Sequence, residues 1–72
     1  MNTEKLINMA NDIADFFNAE SDKEIAANGV MKHIQRSWDP RMKKAIIEHC
    51  QQGGSGLSPL ASDAIKKLVL GG

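Results

Sequence analysis

Seventy-two residues suffice for one small domain, and a chain of that size leaves much of its apolar surface close to water. The composition is 42% hydrophobic, partly Ala and Met, with Phe16, Phe17 and Trp38 as the aromatic residues, so a one-layer helical core is expected without a deep substrate cavity, which weighs against an independent enzyme. Nine basic and nine acidic residues cancel, so bulk charge designates no partner.

The spacing predicts an all-α fold: a single helical domain over 1–72, built as a small bundle of four short helices. The first helix is expected over 3–18. Thr3 can cap it through its hydroxyl, Glu4 suits the positive end, and Leu6, Met9, Ala10, Ile13 and Phe17 recur at three- and four-residue steps. Asn8, Asn11, Asp12 and Asp15 fill the other side. Asn18 to Asp22 reads as a turn, with Ser21 and Glu24 spaced as a capping box that opens a second helix over 22–36. Its inward side is expected to carry Ile25, Ala26, Gly29, Val30, His33 and Ile34. Gly29 costs about 1 kcal/mol against Ala in a helix interior, so a close approach by another helix is its expected return.

Trp38-Asp39-Pro40-Arg41 punctuates the chain next. Asp39 can accept from first-turn amides, and Pro40 fits the first helical position, where its missing N–H is no loss. The third helix is expected over 40–51, turning Met42, Ala45, Ile46 and His49 or Cys50 to one side and stopping at Gly53. A flexible Gly-rich link, 53–56, leads to the same device, Ser58 as cap and Pro59 at the first helical position. The fourth helix, 59–70, carries Leu60, Ala61, Ala64, Ile65 and Leu68 and is expected to end at Gly71-Gly72.

Charge is unevenly placed. Residues 1–24 hold six acidic side chains against Lys5 and Lys23, a net −4; residues 32–44 hold Lys32, Arg36, Arg41, Lys43 and Lys44 against Asp39, a net +4. Such a split either orients docking onto a partner or lets opposite faces of the bundle attract each other. The candidate partner-binding residues are therefore Trp38, Arg36, Arg41, Lys44, Lys32 and Lys43. Trp38 sits where a large ring either closes the core beneath the corner or anchors an interface.

Other chemistry finds little support. Lone Cys50 excludes an internal disulfide and a multi-thiolate metal site. His49 and Cys50 are adjacent and so diverge on a helix; His33 is expected to pack against the core. A Cys–His nucleophile lacks an oxyanion-hole element and an orienting third group, and Cys50 reads as a half-buried small hydrophobe. Gly53-Gly54-Ser55-Gly56 lacks the Lys-Ser/Thr of a phosphate loop. No catalytic, cofactor-binding or metal residue is expected. The basic 32–44 segment with Trp38 also fits an alternative, a stand-alone helical nucleic-acid-binding module, but the acidic N-terminal third would repel phosphate. No apolar run approaches the roughly 18 residues of a membrane span. Glu4, Asn8, Asn11 and Asp12 interrupt any signal sequence, so a cytoplasmic location is expected.

Three blocks carry a family resemblance: Met9-Ala-Asn-Asp-Ile-Ala-Asp-Phe-Phe17, His33-Ile-Gln-Arg-Ser-Trp-Asp-Pro-Arg-Met42, and Gly53-Gly54 with Leu57-Ser58-Pro59-Leu60. In this order and at this chain length, the sequence resembles the delta subunit of cytosolic, molybdenum-dependent, NAD-linked formate dehydrogenases from Leu6 to Leu70. The most specific piece is Trp38 to Met42 preceded by a His; Ser37 stands where family members often carry an aromatic residue. The resemblance implies a non-catalytic accessory subunit that meets a molybdenum-containing alpha subunit and its iron–sulfur and flavin subunits. Catalysis and cofactors then belong to those chains, and this one supports assembly, stability or cofactor maturation.

Overall fold

The computed structural model describes residues 2–70, in which four helices follow one another: α1 (Thr3–Phe17), α2 (Lys23–Ser37), α3 (Pro40–Gln51) and α4 (Pro59–Leu70). No strand occurs among the described residues. The expected stop at Gly71-Gly72 lies outside them. The bundle has a radius of gyration of 10.8 Å.

The start signals act locally, but two belong to neighbours of the expected residues. Asn2, not Thr3, caps α1, its Oδ1 accepting from Glu4 N–H at 3.0 Å and Lys5 N–H at 3.3 Å. Asp22, not Ser21, caps α2, accepting from Glu24 N–H at 3.0 Å and Ile25 N–H at 3.3 Å. Asn and Asp outrank Thr as caps, and an ionised Asp also favours the positive helix end. Glu24 is then free to pair with Lys67 and tie α2 to α4. The C-terminus of α1 is served by Lys23, whose ammonium donates to Asn18 O at 3.0 Å, Asn18 Oδ1 at 3.2 Å and Glu20 O at 3.0 Å. At the end of α3, Gly54 N–H reaches His49 O at 3.0 Å and Gly53 N–H reaches Cys50 O at 3.2 Å. That paired closure requires the left-handed backbone that glycine supplies, φ 114° at Gly53 and 64° at Gly54.

The helices α1 and α4 each pack on all three others, whereas α2 and α3 scarcely meet. Much of the contact is through alanine: Ala10, Ala14, Ala26, Ala27, Ala61 and Ala64 are each at most 2% exposed, which lets backbones approach closely. Ile34, Ile46, Ile65 and Val30 are the largest side chains wholly removed from water. The inward arc of α2 is Ala26, Ala27, Val30 and Ile34, so the expectation for Ile25 and His33 is corrected: both are exposed. Gly29 does accommodate a close approach, by a ring and not a helix backbone. A Cβ there would lie 2.6 Å from Cε1 of Phe17.

The Gly-rich link is held rather than loose. The side chain of Asn11 donates to Gly56 O at 2.8 Å and accepts from Ser58 N–H at 2.8 Å. His49 Nε2 lies 2.7 Å from Ser55 O, and since a carbonyl oxygen only accepts, the ring N–H is the donor. Asn11 thus leaves the solvent side expected for it and clamps the entry to α4, where Ser58 Oγ accepts from Ala61 N–H at 3.2 Å.

Asn11→Ala removes both clamp bonds and leaves Ser58 N–H part-buried without its acceptor, so the urea midpoint should fall by the equivalent of about 1–3 kcal/mol; an unchanged midpoint would mean that the clamp contributes nothing. Gly29→Ala should destabilise the chain by up to about 2 kcal/mol, the overpacking cost of displacing the Phe17 ring less the helix-propensity gain. In a Phe17→Leu background the same change should become neutral or stabilising, because the helix-propensity gain of about 1 kcal/mol is then unopposed.

Candidate docking site at the α2–α3 corner

The corner is built by two consecutive extended residues. Trp38 has φ −90° and ψ 140°, and its N–H still closes α2 by donating to Ile34 O at 2.9 Å. Asp39 follows with φ −75° and ψ 168°, and its Oδ1 accepts from Met42 N–H at 3.0 Å. Pro40 occupies the first turn of α3 as expected. The two extended residues redirect the chain so that α3 leaves α2 and packs on α1 and α4 instead.

This geometry decides between the two places open to Trp38. Its side chain is 5% exposed and belongs to the buried core. In the free chain the ring is a structural plug beneath the corner.

The five candidate basic side chains, on the two helices that Trp38 joins, differ in exposure. Lys32, Arg36, Arg41 and Lys44 are exposed. Lys43 is half-buried, and its ammonium donates to Gln35 O at 3.4 Å, where it serves the carbonyl end of α2. Lys43 and Lys44 border a shallow depression of about 340 Å³ shared with Gln35, Pro40, Ile47, Glu48 and Leu68. The exposed ones of the five are thus Arg36 and Lys32 on one helix and Arg41 and Lys44 on the next, the two helices joined by a capped turn at a buried indole.

The soft-ligand candidates do not converge. His33 lies exposed at a hollow beside α1, His49 faces the link, and Cys50 is half-buried with Sγ 3.8 Å from Ser62 Oγ. Among the described residues, no three His, Cys, Asp or Glu side chains come together in a metal-ligating group. No described helix is long and apolar enough to cross a membrane.

One feature of the surface escaped the sequence reading, the 78% exposure of Phe16. A signal was present: neighbouring residues on a helix point about 100° apart, so Phe16 and Phe17 cannot both turn inward.

Comparison with known proteins adds the deciding observation. The sequence model of the NADH-dependent formate dehydrogenase delta subunit FdsD family matches residues 5–65. The chain belongs to this family. The match begins two residues into α1 and runs through α2, the Trp38–Asp39 corner and α3 into α4, so it takes in the whole candidate surface of this delta-subunit family member. No curated protein and no solved structure matches the chain.

Removal of the plug should be far costlier than removal of the cap. Trp38→Ala should cost about 3–5 kcal/mol, enough to unfold most of a domain this small, and circular dichroism should register the loss of helix. Asp39→Ala should cost about 1 kcal/mol with helix content retained. A Trp38→Ala chain that stays fully helical and stable would place the ring's role outside the core.

Proposed function

We propose that this chain is a non-catalytic accessory subunit of an NAD-dependent formate dehydrogenase, docking on the molybdenum-containing alpha subunit and supporting its assembly, stability or cofactor maturation. The family match over residues 5–65 carries this reading, because it reaches across all four helices and not one short motif. Formate oxidation and electron passage to NAD then rest with the alpha subunit and its iron–sulfur and flavin partners.

The architecture supports a docking role in a specific way. Recognition falls to side chains projecting from a rigid corner: Arg36 and Lys32 from α2, Arg41 and Lys44 from α3, each exposed. Guanidinium and ammonium groups displayed this way match an acidic protein surface, where such charges speed encounter and fix orientation more than they add affinity. Lys43 contributes less, being engaged with Gln35 O, and Trp38 acts beneath them by holding the two helices at their angle.

A tagged copy of the chain should retain the alpha subunit through a high-salt wash. Arg41→Glu combined with Lys44→Glu should slow association about tenfold or more at low ionic strength, with the difference shrinking as salt rises. An association rate that is unchanged at low salt would remove the basic corner from the interface.

A further inference from the structure

Away from the basic corner, the most exposed large apolar side chain is Phe16 at 78%, followed by Ile25 at 57%. Phe16 borders a hollow of about 340 Å³ with Asp12, Ile13, Phe17 and His33. Its ring stands edge-on to that of Phe17, with centroids 5.3 Å apart at 85°. Phe17 in turn lies on Gly29, the position without a Cβ to fill the space. Ile25 and His33 stand one turn before and after Gly29 in the same row of α2. An apolar groove therefore lies between α1 and α2, lined by half-buried Ile13 and Phe17 and by exposed Phe16.

The two rims of this groove differ in charge. On the α1 side Asp12 is exposed; on the α2 side Lys32 and Arg36 are exposed, one turn apart and next to the His33 row. An occupant with an apolar stripe flanked by opposite charges is complementary to both rims at once. The groove's lining of Asp12, Ile13, Phe16, Phe17 and His33 is far smaller than the roughly 20–30 residues a side by which two globular surfaces meet. A single helix laid lengthwise fits such a groove.

We propose that the α1–α2 groove receives one amphipathic helix of the partner subunit, its bulky apolar side chains seated against Ile13, Phe16 and Phe17, its basic residues on the Asp12 rim and its acidic residues on the Lys32–Arg36 rim. This rests on the reading of the chain as a formate dehydrogenase subunit and extends it to a second surface, continuous with the basic corner through Arg36.

The test uses the full chain with the assembled enzyme. Phe16→Ser should leave helicity by circular dichroism unchanged, since the ring is mostly in solvent, yet raise the Kd for the enzyme lacking this subunit about tenfold or more, chiefly through faster dissociation. A photoreactive benzoylphenylalanine placed at position 16 should join, on irradiation of the complex, to one segment of the partner subunit with helical apolar periodicity. An unchanged Kd for a folded Phe16→Ser chain overturns the groove while leaving the subunit reading intact. So does a photo-adduct between two copies of this chain, or one to a polar or non-helical segment. Failure of the unaltered chain to bind the enzyme overturns both.

Discussion

The burial of Trp38 beneath the α2–α3 corner is the interaction on which the remaining arrangement depends. Much of the core is built from alanines, and among the described residues its largest wholly buried side chains are Ile34, Ile46, Ile65 and Val30. Close packing of that kind suits α1 and α4, which touch every other helix, but leaves α2 and α3 apart. The largest side chain in the sequence sits at the junction between them. A core of this size has few residues to spare, so the loss of one indole weighs heavily against its total stability.

That constraint shapes how the molecule can recognise anything. A ring that is 5% exposed is unavailable as an anchor unless the domain opens. On the proposed reading, contact with a partner falls to the exposed side chains: Arg36 and Arg41 on either side of Trp38 in the sequence, Lys32 and Lys44 beyond them, and Phe16 at the α1–α2 groove. The link is clamped as well. Asn11 and His49 hold Ser55 to Ser58, so the entry to α4 is registered against α1 and α3. A docking face fixed before contact loses less ordering entropy on binding than a mobile one.

Much of this was legible in the sequence because its causes are local. The helices and the Asp39–Pro40 and Ser58–Pro59 starts rest on residues within a few positions of one another, and the apolar spacing of α4 placed Leu60, Ala61, Ala64, Ile65 and Leu68 correctly inside. Caps slipped by one residue at Asn2 and Asp22, since adjacent polar residues compete for the same amides and periodicity does not separate them. On α2 the apolar spacing points toward Ile25 and His33, whereas the buried arc takes in Ala27; the rotation is set by where α4 sits, which no local pattern encodes. Asn11 was opaque for the same reason, its partners lying 45 and 47 residues away. Of the candidate site, the capped corner was legible, because Asp39 and Pro40 act within one turn. The division of labour between Trp38 as plug and Phe16 as exposed ring required the packing.

Hydroxyl-radical footprinting of side chains, performed on the free chain and on the assembled formate dehydrogenase, tests this division most directly. The expected result is that Trp38 resists oxidation in both states, while Phe16 is modified readily in the free chain and protected in the complex. A Trp38 that reacts freely in the isolated, folded chain and becomes protected only on assembly would contradict it, placing the indole at the interface and leaving the corner without its plug.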